Sequence, residues 1–494
     1  MHTVREGLVG NIMQRAMLAK ARACGGESGP TMLCALALTL TFSEYWLLNY
    51  SAFPLFDLIF IWTREVSACV GGAALAAIAV LSFWKSRPLD GRIFTWGVVF
   101  LMALGGALCA AGALCESVFL TVAGASLVTV GGGLANICVG LACTGLTLRR
   151  AGIVVVWSYV ASFVLRGLFR ILPLEANLTM FLLFPIGAVA LSARLSLRVR
   201  DFSSSDSPAQ ISITSPGSFV PFGHQVFISL VVFRFVYGYS LTFGEVDRVP
   251  VVAFSALAAL CAVAVYVFAS SKPLSSDGLF RVSILVSVAG FLVLSITGTP
   301  RDALASSLLS AGTGIFEILM YYVLIAIGAK NPAGALSVFA WGNAMASWGT
   351  ILGAVFGRVT NEAYRTDGTV LAIISAAVVF VLVAYVLFVL GTFSFSKTIE
   401  SVLPSVDVKV VEGKEGGGDE GSLEERCGRL ATDACLTERE REVFLLLAHG
   451  RNARYIQETL VVSYNTVKTH VSHVYAKLGV HSHQELIDLV ESKG

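Results

Sequence analysis

Four polar residues interrupt otherwise apolar runs of this sequence. They are Glu44 in TFSEYWLL, Asn136 in GGGLANICVG, Arg234 in ISLVVFRFVYGY and Glu317 in GTGIFEILMYY. An ionisable side chain in hydrocarbon is costly, so each is a candidate for ligand contact by ion pair or hydrogen bond. The alternative is a structural pair that locks helices together. A second polar set, Thr466, Lys468, Thr469, His470, Ser472, His473 and Lys477, lies in SYNTVKTHVSHVYAKLG near the end of the chain. Donors and acceptors spaced along one helix can touch phosphates and base edges of nucleic acid. No nucleophile–base pattern, phosphate-cradling loop or metal-ligand spacing occurs, and the ten cysteines form no C-x-x-C. The expectation is therefore no enzyme, no metal and no cofactor.

The elements that position these residues follow from composition. Of 494 residues, 55% are hydrophobic and only 14% charged, where soluble domains carry about 25% charged residues. Most of the chain must bury its surface in lipid. At about 20 apolar residues per span, twelve spans are predicted near 31–50, 66–84, 93–114, 118–146, 151–165, 177–193, 225–243, 250–270, 282–298, 304–328, 334–356 and 369–393. Residues 1–30 read as a basic leader rather than a cleavable signal. Counting Lys and Arg in alternate loops, Lys85, Arg149, Arg194 and Lys330 among them, gives fifteen on the side of the N-terminus. The other side holds seven, including Arg64, Arg166 and Arg358. By the positive-inside rule both termini are expected to be cytoplasmic.

The spans repeat. ALAAIAVLSFWKSRP (74–88) aligns without gaps on ALCAVAVYVFASSKP (259–273), with eight identities in fifteen, and each runs on through Pro-Leu to Asp-Gly. ASLVTVGGGLAN (125–136) lies over SSLLSAGTGIFE (306–317), which makes Asn136 and Glu317 equivalent. The paired glycines Gly131, Gly133, Gly312 and Gly314 read as close helix packing. Two six-helix repeats joined by a cytoplasmic loop (194–224) resemble the major facilitator superfamily over residues 31–393. Ligand sites in repeat-built carriers lie at the midplane between halves. There Glu317, Arg234, Asn136 and Glu44 would meet a small molecule.

After Phe393 the composition changes. Residues 394–435, rich in Gly and Glu, read as a flexible linker, and 436–494 as a small helical domain. Thr437 with Glu440 and Ser482 with Glu485 form capping boxes. Val443, Leu446 and Leu447, then Tyr455, Ile456 and Leu460, are expected inside. Val467, Val471, Val474 and Leu478 recur at helical spacing. Two helices, a tight turn VVS and a longer helix make a helix-turn-helix. LTEREREV, Gly450, SYNTVKTHVSHVYAKLGV and the last helix resemble the four-helix DNA-binding domain of the LuxR family. Ala453, Tyr455 and Gln457 depart from its usual residues. The resemblance implies that Lys468, Thr469 and Ser472 face the major groove, with His473 beside them. It puts Thr466, His470, Lys477 and Arg454 near phosphates, and Leu486, Leu489 and Val490 of the last helix at a dimer contact.

Residues 436–494 hold seven basic and seven acidic side chains. Few counterions would be released, so a monomer should bind double-stranded DNA weakly. The expectation is an all-α, polytopic membrane bundle with a four-helix helix-turn-helix tail. It would be a one-component regulator that senses a small molecule, binds DNA as a homodimer and acts with RNA polymerase. The alternative is a facilitator-type transporter with a regulatory tail.

Overall fold

In lipid every backbone amide and carbonyl must be satisfied within the protein, which long apolar helices achieve on their own. The computed structural model describes residues 28–84, 91–201, 213, 217, 219–242, 256–270, 273–299, 302–366, 369–402 and 420–492. Residues 1–27 of the expected leader, residues 202–212, 214–216 and 218 of the loop 194–224, and linker residues 403–419 lie outside the described residues, as do Lys85 and Arg87. No strand occurs among the described residues.

The first half comprises α1 (Ser28–Leu47), α2 (Thr63–Trp84), α3 (Gly91–Leu114), α4 (Val118–Cys143), α5 (Leu148–Phe169) and α6 (Leu174–Asp201). The second comprises α7 (Gln225–Leu241), α8 (Ala256–Ala269), α9 (Ser276–Thr297), α10 (Ala303–Lys330), α11 (Pro332–Thr366) and α12 (Thr369–Ala384). Nine helices among the described residues are long and apolar enough to cross a membrane. The two shorter apolar helices are α7 and α8. At 35 residues α11 is long enough, but it carries Asn343, Ser347 and Thr350 inward and is not among the nine. The chain is a multi-pass membrane protein. Its most buried span is α10, and α12 is mostly open, with Phe380 outward as a lipid-covered surface allows.

Several arginines assigned to outer loops belong instead to helices. Helix α5 does not stop before Arg166 but runs on to Phe169. The Arg166 guanidinium is buried 4.7 Å from the Trp46 ring centre and 4.3 Å from that of Tyr50. Aromatic faces attract a desolvated cation, which lets the helix continue through a charge. Arg64 opens α2, and Arg358 lies within α11.

Helices α7 and α11 touch backbone to backbone. A Cβ added at Gly353 would lie 2.0 Å from the Phe235 carbonyl oxygen, and one at Gly238 would lie 2.0 Å from that of Thr350. This approach, rather than the glycines singled out from the repeat, is the tightest in the bundle among the described residues. Those four also pack closely: Gly312 faces Ser287 and Gly314 faces Tyr159.

Part of the expected linker is folded. Helix α13 (Phe395–Ser401) packs Phe395 and Ile399 into the membrane-bundle core, and α14 (Glu420–Asp433) buries Cys427, Leu430 and Ala431 in a separate core. Glycine and glutamate counts hid the stripe Leu423, Cys427, Leu430 and Ala431, whose spacing is helical. The separate core is completed by α15 (Glu438–Ala448), α16 (Ala453–Leu460), α17 (Tyr464–Leu478) and α18 (His483–Ser492). Ile213, from the segment between the halves, is buried in it as well. Val443, Leu447, Ile456, Val467, Val471 and Val474 are inside as expected. Phe444 takes the place expected for Leu446, which is half-buried, and Tyr455 is exposed with Arg451 over its ring.

Two polar contacts fasten this domain. The Thr437 hydroxyl accepts from the Glu440 amide, and the Glu440 carboxylate accepts from the Thr437 amide at 2.9 Å, closing the capping box on α15. The same carboxylate accepts from Lys477 Nζ at 2.6 Å, tying α15 to α17. At Ser482 the arrangement differs from the expected box, because Glu485 takes the His481 amide. His483, which sequence reasoning passed over, sets its buried ring nitrogen 2.6 Å from the Leu447 carbonyl oxygen.

Replacing Gly353 with leucine should separate α7 from α11 at a cost of about 1–3 kcal/mol or more. It should lower the melting temperature of the purified protein in detergent; an unchanged melt would contradict the close approach. A second expectation concerns pH. Lys477, then the Thr437 amide, hold the Glu440 carboxyl at about 2, below its ordinary 4.5. A depressed carboxyl stabilises fully above its unfolded value and loses that contribution as pH falls through the folded one. Burial lowers the His483 imidazole below its ordinary 6.5. The unfolded state therefore takes this proton first, and the contribution declines below about pH 6.5. Amide-exchange protection of residues 436–492, corrected for intrinsic rates, should fall between pH 7.5 and 5. Lys477→Met should lower it already at pH 7.5.

Candidate functional site

The structure brings Glu44, Asn136, Arg234 and Glu317 to one cavity of about 140 Å³ between the halves. Each is carried by a different helix: α1, α4, α7 and α10. The cavity is lined by apolar and aromatic surface with a few polar groups, the usual make-up of a small-molecule site. Phe42 meets Tyr159 and Tyr321 edge-on, with ring centres 5.3 and 5.1 Å apart. Phe233 stacks on Phe316 at 4.0 Å.

Glu317 and Asn136, equivalent in the repeat, do not touch a common partner. Arg234 Nη2 donates to Glu317 Oε1 at 2.9 Å, which joins α7 to α10 within the second half. Arg234 Nη1 donates to the Tyr45 hydroxyl at 3.3 Å, reaching α1 in the first half. Asn136 Nδ2 donates to Asn343 Oδ1 at 2.7 Å, bridging α4 and α11 across the halves. Asn343 in turn donates to the Phe339 carbonyl at 2.8 Å. Sequence reasoning missed Asn343, although it interrupts VFAWGNAMASW as Asn136 interrupts its own run. Glu44 lines the cavity against Gly132, where a Cβ would stand 3.1 Å from its Oε1.

The halves also meet at both ends of the bundle. At one end Arg358 of α11 donates to Glu65 at 2.8 Å, to Asp57 at 3.2 Å and to the Ile61 carbonyl oxygen; Arg64 pairs with Glu65 at 3.0 Å. At the other end the Ser337 hydroxyl of α11 donates to the Ala79 carbonyl at 3.1 Å, and Trp341 donates to that of Phe222 at 2.9 Å.

That second end holds the start of the tail. Asp277, in the loop sequence SKPLSSDGLFR, accepts from the Ser394 hydroxyl at 2.7 Å and from the Phe395 amide at 2.8 Å. Lys330 Nζ donates to the Glu400 carbonyl at 3.1 Å. Helix α13 is thereby fixed to the ends of α9 and α10.

In the C-terminal domain Ser463 caps α17 by accepting from the Thr466 amide at 3.2 Å, and Gly479 ends it at φ 67°. Lys468, Thr469, Ser472 and His473 are exposed on α17, while Thr466 and His470 are half-buried. Arg454 is exposed on α16 with its guanidinium on Glu458 at 3.0 Å. Two of the expected contacts lie against Glu440. Lys477 is committed to Glu440 and to the Cys435 carbonyl, and His473 Nδ1 lies 3.4 Å from Glu440. The expected dimer contact also changes: Leu486 and Val490 are buried in the domain's own core and Leu489 is half-buried there, because α18 packs against both α15 and α14. The signal for that correction was the apolar stripe of α14.

A model of the bacterial regulatory proteins of the luxR family matches residues 434–490. The chain is 40% identical over 52 residues to the spore germination protein GerE of Bacillus subtilis (strain 168), covering 10% of this chain and 70% of GerE. It is 44% identical over 59 residues to a Mycobacterium tuberculosis (strain ATCC 25618 / H37Rv) protein named as an HTH-type transcriptional regulator. That match covers 12% of this chain and spans only 7% of the relative. The membrane bundle superposes on the solved structure of the major-facilitator proton:xylose symporter XylE bound to 6-bromo-6-deoxy-D-glucose. The TM-score is 0.50 with 13% identity, over 73% of this chain and 95% of that one. This second likeness is one of fold. Through its C-terminal domain, the chain belongs to the luxR family of bacterial regulatory proteins, joined here to a membrane bundle of major-facilitator fold.

Proposed function

We propose that this protein is a one-component transcription regulator of the bacterial inner membrane, with both termini cytoplasmic. Its membrane bundle senses a small molecule, and its tail binds double-stranded DNA. The observation behind this reading is the exposed row Lys468, Thr469 and Ser472 on α17 of a luxR-family domain, within a chain whose bundle holds Glu44, Asn136, Arg234 and Glu317 at one cavity. Lysine donates to guanine O6 and N7, while Thr and Ser are less selective. Arg454, Thr466 and His470 lie toward phosphates. With equal numbers of acidic and basic side chains in residues 436–494, a single domain releases few counterions. Two copies on two half-sites supply the missing affinity, and RNA polymerase is the further partner at the promoter.

Coupling requires a ligand that binds two conformations of the bundle unequally. The fixed helix α13 and the buried Ile213 are the two routes by which a shift between halves reaches the tail. A second reading, transport, is favoured by the cavity lying between two halves that touch at both ends.

Crosslinked DNA recovered with the full-length protein from its host should peak at one or a few promoters. Lys468→Glu should remove those peaks, and equal enrichment in the variant would end the regulator reading. Uptake of candidate small molecules into proteoliposomes, reduced at least tenfold by Glu317→Gln, would favour transport instead.

A further inference from the structure

Two carboxylates line the cavity, and only one has a counter-charge. Glu317 is held by Arg234, and the other basic lining residue, Arg64, pairs with Glu65. Glu44, 7% exposed, makes no hydrogen bond or ion pair among the described residues. An ionised group away from water is stable only when paired or hydrogen-bonded. Because the other lining charges are matched, Glu44 on α1 is the one lining carboxyl without a counter-charge, which a cationic ligand would supply. Phe42, two residues before Glu44, and Tyr45, next to it, line the cavity with it; Tyr159 and Tyr321 meet the Phe42 ring edge-on, and Arg234 lies over the Tyr45 ring. Aromatic faces beside a carboxylate are the surroundings that favour an organic cation. The volume of about 140 Å³ is roughly ten times the 10–15 Å³ that one water needs, so it admits a small molecule rather than a lone ion.

We propose that the cavity binds a small organic monocation, an amine whose ammonium group pairs with the Glu44 carboxylate while its apolar part lies on the Phe42 and Tyr45 side of the cavity. This names the ligand class for the sensing reading above and rests on it. Gly132 is part of the same site: its missing side chain leaves the space that the Glu44 carboxylate occupies. Arg234 and Glu317 neutralise each other and present no net charge to the ligand. The selectivity therefore runs by charge: cation over neutral molecule over anion.

The test uses the full-length protein in lipid nanodiscs and three probes matched in shape: 2-phenylethylammonium, 2-phenylethanol and 3-phenylpropanoate. Calorimetric titration and thermal melting should show binding of the ammonium probe at least tenfold tighter than either other probe. Glu44→Gln should lose that preference at least tenfold while melting, without probe, no lower than the parent, since it removes a buried carboxyl that has no partner. Gly132→Ala, which presses on the carboxylate from its open side, should also weaken ammonium binding and serves if Glu44→Gln is not recovered folded. Equal affinity for the neutral or anionic probe, an unchanged ammonium affinity in Glu44→Gln, or no binding of the ammonium probe would overturn the proposal. A carboxyl that merely holds a proton gives the second result. Promoter occupancy measured with the same probes separates the two readings. Glu44-dependent ammonium binding without a change in occupancy removes the sensing role and keeps the site. An anion that changes occupancy removes the cation site and keeps sensing.

Discussion

A charge within the apolar interior of a membrane bundle must be matched there, and that constraint sets how these helices are turned. Arg234 pairs with Glu317 and reaches Tyr45, so one side chain fixes α7 against α10 and α1. Arg166 lies over the rings of Trp46 and Tyr50, and Arg358 meets Asp57 and Glu65 from the opposite half. Each solution pins the rotation of a helix about its own axis, which apolar packing alone leaves loosely set because lipid tails are as apolar as leucine. Glu44 stands apart because the described residues offer it no opposite charge.

The same constraint bears on movement. The halves are joined by a hydrogen bond between amides at the cavity, Asn136 to Asn343, by the ionic cluster around Arg358 at one end and by backbone acceptors at the other. Polar contacts of this kind have discrete alternatives, whereas the backbone contact of α7 with α11 through Gly238 and Gly353 does not. Helices α7 and α11 are thereby held in close backbone contact. In the proposed scheme a ligand that favours one arrangement of the halves shifts the ends of α9 and α10, and with them α13, which Asp277 and Lys330 hold.

The C-terminal domain concentrates its internal polar contacts on Glu440. One carboxylate closes the cap of α15, receives Lys477 from α17 and lies beside His473. This fixes the helix that presents Lys468, Thr469 and Ser472 while removing Lys477 from its outward face. Of the two lysines on α17, only Lys468 projects outward without that commitment.

Taken alone, the sequence determined the helical class, the membrane bundle, the helix-turn-helix and the polar residues that line the cavity. Apolar runs of span length, the period of the C-terminal core and the high cost of charge in lipid act locally, so Glu44, Asn136, Arg234, Glu317 and the cap at Thr437 were legible. Pairing was not, because it depends on which helices become neighbours. Nothing local joins Glu317 to Arg234 rather than to the Asn136 position, or takes Lys477 away from DNA and gives it to Glu440. The burial of Leu486 and Val490 beneath α14, and the use of Asp277 to hold α13, were likewise decided in three dimensions. Contacts between residues far apart in sequence form only once packing has chosen the neighbours, and here that choice was made by matching charge and close backbone approach.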